Sequence, residues 1–412
     1  QLLEAADRGV RVRMLLDDLQ ASVHDPALLA LDKHPQIEVR MFNPSASRSF
    51  RMFELLSRFE KLNRRMHNKS FIADNQLAII GGRNIGDEYF NANLEVDFTD
   101  FDVLALGPVV PEISATFDLY WNSELAVPIS VLYRNADNND ITLEQVRARL
   151  SEGWQRIEAS VYAQAVREIQ FVQNMAQEQS RFYWGKAQAV ADAPEKFLKH
   201  PDDNTTHLGP RLLPLIENLQ SELLIVSPYF IPGKELTEFF AQLVRRGIRV
   251  TILTNSFASN DVGLVHAGYA RYRKALVNSG VELYEYKPDP TRIKKGRKKG
   301  SGLPGSSRAS LHAKVFVLDR RQLFVGSMNL DPRSVRLNSE LGVIIDNADL
   351  ANILVEEVRN ELPESAYRIR LANNSDELQN DTELVWETVE DGKLTVYDDE
   401  PQVGFFRRLA IW

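Results

Sequence analysis

Two short segments of this chain carry residues suited to phosphoryl chemistry. His67-Asn68-Lys69 is followed, at fixed distances, by Asp74, Gly81-Gly82 and Asn84. His312-Ala313-Lys314 is followed at the same distances by Asp319, Gly326-Ser327 and Asn329. On a strand, residues two apart point to one face, so each His and Lys would project side by side. The small-residue pair would let the backbone come close to a ligand, and the Asn would then offer an amide donor. A pseudo-twofold that brought the two sets together would surround two imidazoles with four cationic or amide donors. That is a site for a phosphodiester. One His-x-Lys means little. Two of the seven histidines in one repeated pattern make chance a poor account. Lysines in such a cluster oppose a metal cation, so neither a metal nor another cofactor is expected.

The two segments sit inside a longer repeat. Asp7-Arg8-Gly9-Val10-Arg11-Val12 recurs 238 residues later as Arg245-Arg246-Gly247-Ile248-Arg249-Val250. Ile37 to Pro44 recurs 244 residues later as Val281 to Pro288, and His67 recurs 245 later as His312. Matches in one order at nearly one offset indicate two copies of one fold. Helical spacing that ends at Gly9, followed by an apolar run from Val10, reads as helix, C-cap and buried strand, the signature of an α/β layer. The second copy opens with a strand at Leu223–Val226. Its counterpart would fall before Gln1, so both ends of the chain read as cut. The expected architecture is α/β: a first lobe over 1–135, a helical linker or packing region over 136–205, and a second lobe over 206–412. The linker reading rests on apolar residues three or four apart from Leu143 to Val172. It is entered through a Thr142-x-x-Gln145 capping box, with Gly153 as a break point.

Composition narrows the function classes. The 412 residues carry 49 Lys and Arg against 57 Asp and Glu, a net charge of −8, which disfavours a surface built for nucleic acid. The absence of cysteine excludes disulfides, thiol catalysis and Cys-ligated metals. No apolar run reaches the ~18–20 residues of a membrane span. One local exception to the acidic balance runs from Lys287 to Arg308, with eight Lys or Arg and one acid in a Gly- and Ser-rich stretch. The chain ends in Phe405-Phe406-Arg407-Arg408-Leu409-Ala410-Ile411-Trp412, a pattern suited to a membrane interface.

The paired His-x-Lys-x4-Asp…Gly-[Gly/Ser]-x-Asn sets resemble the phospholipase D superfamily over nearly the whole chain. Arg64 to Lys69, Gly81 to Asp87, Asn260-Asp261-Val262 with Val265 to Arg271, and Asp331-Pro332-Arg333-Ser334 look like the bacterial cardiolipin synthases, the C-type in particular. The resemblance implies two α/β/α lobes related by a pseudo-twofold, with the active site at their interface. It also implies displacement at phosphorus through a phosphohistidine, with His67 as nucleophile and His312 as general acid/base, although the near-symmetric halves do not order them. Lys69, Lys314, Asn84 and Asn329 would hold the non-bridging oxygens. Each His needs a carboxylate to fix its tautomer. Glu340 in the second copy and Asp100 in the first fit that place, Asp100 better than Glu95 despite the matching spacing of Glu95. Asp74 and Asp319 read as structural, salt-bridged residues. Tyr229 and His266 are candidates for lining the substrate pocket.

The expected reaction is phosphatidyl transfer to phosphatidylglycerol, from phosphatidylethanolamine or a second phosphatidylglycerol, yielding cardiolipin. The alternative is hydrolysis of phospholipid or nucleic acid by the same machinery. The expected partners are those lipids and an anionic membrane surface, with room for an accessory protein. Attachment to the bacterial cell membrane would be peripheral, or through a segment outside this chain.

Overall fold

The structure, a computed structural model, describes residues 1–18, 25–45, 63–85, 97–133, 141–158, 163, 182–260, 262–288, 309–372 and 383–403. The helices ahead of Gly9 and Gly247 end alike. Gly9 (φ +92°) donates to Ala6 O and Val10 to Ala5 O, while Gly247 (φ +85°) donates to Val244 O and Ile248 to Leu243 O. This left-handed cap suits glycine and turns each helix into a strand.

In the first lobe β1 (Val12–Asp17) runs parallel to β2 (Ile37–Phe42). The hairpin of β3 (Ser70–Ala73) and β4 (Leu77–Gly81) follows. Then come β5 (Asp97–Thr99), β6 (Asp102–Leu106) beside β4, and β7 (Ala126–Pro128) beside β2. The second lobe repeats the plan around one sheet. Its strands are β8 (Lys186–Ala191), β9 (Glu222–Val226), β10 (Arg249–Asn255), β11 (Glu282–Tyr286), β12 (Ala309–Leu311), β13 (Val315–Leu318), β14 (Gln322–Gly326), β15 (Leu341–Asp346), β16 (Ala366–Leu371), β17 (Leu384–Glu390) and β18 (Lys393–Tyr397). Ten of them form one sheet in the order β18-β17-β16-β11-β10-β9-β13-β14-β15-β8, and β12 pairs with β5 of the first lobe. In that sheet β9 joins the parallel β10–β11 part to the antiparallel β13–β15 part. No counterpart of β9 lies among the described residues of the first lobe, where β1-β2-β7 and β3-β4-β6 stand as separate sheets.

One hydrophobic core runs through both lobes. Ala78, Ile80 and Ile113 pack in the same cluster as Val315, Leu323, Val325, Leu341 and Val343. Each such aliphatic side chain contributes about 1.5–3 kcal/mol on burial. The lobes are therefore fused through their sheets and are not beads on a tether.

Among the described residues of 136–205 the structure holds a strand as well as helix. Thr142 and Gln145 exchange the reciprocal capping hydrogen bonds, and the helix Leu143–Glu158 runs through Gly153 without breaking. A helical Gly costs only about 1 kcal/mol against Ala. Val161, Ala165, Ile169 and Val172 lie outside the described residues, as do residues 289–308 and 404–412. β8, inside the same stretch, pairs antiparallel with β15 as an edge of the second lobe's sheet. Its Lys-Ala-Gln-Ala-Val-Ala sequence hides a strand, because alanine carries no strand preference.

Among the described residues Asp319 makes no salt bridge, where one was expected. It sits in the β13–β14 turn at φ +50°, and its carboxylate accepts the N–H groups of Gln220 (3.0 Å), Ser221 (2.7 Å) and Glu222 (3.0 Å). It ties the hairpin to the start of β9. Burial alone would raise its pKa, but those three donors outweigh burial and hold it below the ordinary value. Asp74 has the same φ of +50° but is exposed, with no hydrogen bond or ion pair among the described residues. Asp319→Ala should therefore cost about 1–2 kcal/mol in urea unfolding, against less than about 0.5 for Asp74→Ala. The Asp319 contribution should be whole above the unfolded carboxylate pKa of about 3.9 and fade as pH falls through the lower folded value.

Candidate active site

The two His-x-Lys segments do not lie on regular strands, which corrects the strand placement. His67 and Lys69 bridge the gap between Met66 and β3, and His312 to Lys314 bridge β12 and β13. At each gap the chain leaves a contact with the other lobe and enters its own lobe's sheet. The backbone nonetheless keeps each Lys beside its own His. Lys69 Nζ donates to His67 O at 2.7 Å. Lys314 Nζ donates to the His312 carbonyl and lies 2.9 Å from its Nδ1.

Pairing across the lobes fixes these gaps. Met66 bridges Ser339, with His67 N–H donating to Ser339 O at 3.0 Å and Ser339 N–H to Arg65 O at 3.1 Å. In the mirrored place Leu311 of β12 pairs with Thr99 of β5. The residue after each partner is the carboxylate, Glu340 or Asp100. The last residue of β1 and that of its repeat counterpart β10 each add a pin. Asp17 accepts from Met66 N–H (3.0 Å) and Arg65 Nε (3.0 Å). Asn255 donates to Leu311 O (2.9 Å) and accepts from Leu311 N–H (3.0 Å).

The carboxylates are exchanged between lobes. His67 Nδ1 lies 2.8 Å from Glu340 Oε2, and His312 Nδ1 lies 2.7 Å from Asp100 Oδ2. Each carboxylate serves the imidazole of the opposite copy. Glu340 is further held by the hydroxyls of Ser327 (2.6 Å to Oε2) and Ser334 (2.5 Å to Oε1). The Glu340 and Asp100 side chains are almost wholly shut from solvent, whereas His67 keeps 24% of its side chain exposed. Glu95 lies outside the described residues.

Burial sets the electrostatics. It lowers His67, with Glu340 opposing and Lys69 and Lys314 adding to the fall. It lowers His312 further, helped by Lys314, Lys69, His67 and Arg83. The downward shift favours the neutral ring that nucleophilic attack needs, and the ring that acts first as an acid has to take up a proton beforehand. Burial brings Lys69 down to about 7, and it raises Asp100 against the pull of Lys314. Burial would also raise Glu340, but His67, Lys69 and the Ser327 hydroxyl hold it below the ordinary carboxylate range. The imidazole of His67 thus faces an ionised partner.

The glycine pair has a closer neighbour than a ligand. A Cβ on Gly82 would stand 2.5 Å from Asp100 Oδ1, and one on Gly81 would stand 2.7 Å from Phe101 O. These glycines make room for the strand that delivers Asp100. Gly82→Ala should push Asp100 off His312 and lower kcat on the order of 100-fold while the circular dichroism spectrum is kept.

Asn84 is half-buried and Asn329 buried. Asn329 N–H donates to Ser334 Oγ at 2.9 Å, and its Oδ1 has no hydrogen-bond partner among the described residues. Tyr229 is half-buried just beyond β9, and its carbonyl accepts from Ser227 Oγ. His266 is 2% exposed, its ring lies tilted 4.9 Å from that of Phe257, and its Nε2 lies 2.6 Å from Glu400 Oε1, beside the buried Arg273–Glu285 pair, while its buried Nδ1 has no hydrogen-bond partner among the described residues. Among the described residues no group of three or more His, Asp or Glu is placed to hold a metal. Sequence reasoning passed over Asp17, Asn255 and Ser339, and gave Ser334 no role beyond its part in the resemblance. The first two could have been found, because they stand 238 residues apart, the offset of the repeat around them.

Two lobes of one plan, sharing a core and lending each other carboxylates across paired His-x-Lys segments, define a phospholipase D-like protein. The chain belongs to the family described as "Cardiolipin synthase, PLD-like domain", which matches residues 1–121 and 212–362. It is 36% identical to Cardiolipin synthase C of Escherichia coli, over 100% of this chain and 84% of that one. It is also 34% identical to an uncharacterized protein of Helicobacter pylori, over 99% of this chain and 78% of that one. In fold it is similar to the crystal structure of phosphatidylserine synthase from Haemophilus influenzae, with a TM-score of 0.51 at 15% identity, over 88% of this chain and 83% of that one.

Proposed function

We propose that the protein makes cardiolipin by moving a phosphatidyl group onto the headgroup glycerol of phosphatidylglycerol. The observation that carries this reading is the exchanged pair of imidazole–carboxylate contacts in a chain of the cardiolipin synthase family. With Nδ1 of each ring turned to a carboxylate, Nε2 is the reacting nitrogen. One Nε2 attacks the donor phosphorus. An N–P bond forms, the P–O bond to the departing alcohol breaks, and the second imidazole, protonated at Nε2 before the step, gives that alcohol its proton. The second imidazole then takes the proton of the incoming glycerol hydroxyl. The glycerol oxygen attacks phosphorus and frees the first ring. Lys69, Lys314, Asn84 and Asn329 hold the non-bridging oxygens as charge builds on them. The donor is phosphatidylethanolamine or a second phosphatidylglycerol.

Such substrates demand a membrane surface. No helix among the described residues is long and apolar enough to cross a membrane. The Lys and Arg run from 287 to 308 supports attraction to anionic headgroups, worth roughly 1 kcal/mol per residue near the surface. The test is to supply vesicles of phosphatidylglycerol with and without phosphatidylethanolamine and read the products by mass spectrometry. Cardiolipin should form and should rise with phosphatidylethanolamine as ethanolamine is released. Phosphatidic acid without cardiolipin would make water the acceptor and overturn the transferase reading.

A further inference from the structure

Beneath the site lies a buried ion pair that the reaction does not use. Lys196 Nζ and Asp192 Oδ2 are 3.1 Å apart, and each side chain is 1% exposed. Taking both charges out of water costs about as much as their attraction returns, so the pair is poor evidence of stabilisation. What the two residues hold is more informative. Lys196 Nζ donates to the carbonyls of Ser334 (3.3 Å) and Val335 (3.0 Å). The hydroxyl of Ser334 donates in turn to Glu340 Oε1. Asp192 Oδ2 accepts the Glu340 N–H at 2.7 Å, and Asp192 N–H donates to Glu340 O at 2.9 Å. Backbone and carboxylate of Glu340 are thus both tied to the pair.

The same segment grips the first lobe beside His67. Phe197 packs edge-on against Phe42 with ring centres 5.0 Å apart, and Tyr120 Oη donates to Asp192 O at 2.9 Å. Arg64, three residues before His67, donates through Nη1 to the carbonyls of Lys196 (2.9 Å), Phe197 (3.0 Å) and Lys199 (2.7 Å). One short segment therefore holds Glu340 directly and grips the first lobe three residues ahead of His67. Among the described residues no hydrogen bond leads from this segment to His312 or Asp100.

We propose that Asp192 and Lys196 are positioning residues for His67, fixing the Glu340 carboxylate against its Nδ1 across the lobe interface. The charged and titratable groups facing the pair are Glu340, Tyr120, Arg64 and His207. Burial pushes Asp192 up to about 6 and pushes Lys196 down, so each charge leans on the other. Removing one lets the survivor go neutral. The loss is then one of placement more than of net charge.

Nuclear magnetic resonance of the full chain with 15N-labelled histidine tests this directly. A buried imidazole N–H held by a carboxylate gives its own far-downfield proton signal; the two dyads supply two such signals and the His266–Glu400 contact another, and spectra of His67→Ala and His312→Ala assign them. Lys196→Gln keeps a donor toward Ser334 and Val335 but no charge. It should move the His67 signal and leave that of His312 in place. Ser334→Ala, which deletes one hydroxyl, should do the same, and it keeps the test open if Lys196→Gln does not fold. A His67 signal that stays put in both variants, or equal changes at both histidines, overturns the proposal. The kinetic arm rests on the phosphatidyl-transfer reading. On vesicles each variant should lose roughly 10- to 100-fold in kcat with KM little changed. A wild type that makes no lipid product would refute that reading and leave the spectroscopic result intact.

Discussion

His67→Ala and His312→Ala should each lower phosphatidyl turnover by at least about ten-thousand-fold, and the double variant should lose little more. The two rings act in sequence on one phosphorus. Without the attacking ring no covalent intermediate forms. Without its partner the departing alcohol leaves unprotonated and the acceptor keeps its proton. Groups that work as a unit give such non-additive losses. The measurement is product formation on vesicles for the wild type, both single variants and the double. Acid-free quenching and peptide mapping of the phosphatidyl adduct would then name the attacking residue. Either single variant retaining near-wild-type turnover would sink the two-imidazole mechanism. The folds should survive, since His67 is a quarter exposed and neither ring belongs to the shared hydrophobic core.

Glu340→Gln and Asp100→Asn should come next, each losing on the order of a thousand- to ten-thousand-fold in kcat, by the scale seen when a buried carboxylate behind a catalytic His becomes an amide. The amide keeps the shape but cannot balance an imidazolium, and its N–H₂ group favours the wrong tautomer of the ring. Because the contacts are exchanged, Glu340→Gln disables a residue 273 positions away in the other lobe, and Asp100→Asn one 212 positions away. Glu340→Gln should also disturb Ser327 and Ser334, whose hydroxyls it receives, so its loss should be the larger of the two. Stopped assays with circular dichroism as a control decide it. Losses under about tenfold in folded protein would mean that the carboxylates only fill space.

The repeat made the two His-x-Lys-x4-Asp sets legible, because strict spacing survives wherever both copies must present the same atoms. The exchange of carboxylates was not legible. A repeat reports likeness between copies and says nothing of which copy each side chain faces. The spacing from Asn329 to Glu340 matches Glu95 in the first copy, but Asp100, five positions further on and the better fit by resemblance, is the residue that meets His312. The strand β8 was lost in an alanine-rich run that reads as helix, and Asp192 and Lys196 follow it in a segment with no second copy for comparison. His266 drew attention as a histidine near motif residues, and its ring meets Phe257, Glu400 and Arg273. A buried ring with charged neighbours looks the same in sequence whether it packs or reacts.

The exchange also has a consequence for how the protein is made. His67 leaves the ribosome long before its partner, with 273 residues still to be added before Glu340 exists. At about 5–20 residues per second that interval is roughly a quarter of a minute to a minute. Throughout it the nascent first lobe carries a histidine and lysine without the carboxylate that orients them. The counterpart histidine at 312 has not yet been added for most of that time. The phosphodiester site is thereby kept chemically silent until both lobes have been made, and a product released before Glu340 would lack one of its two oriented imidazoles.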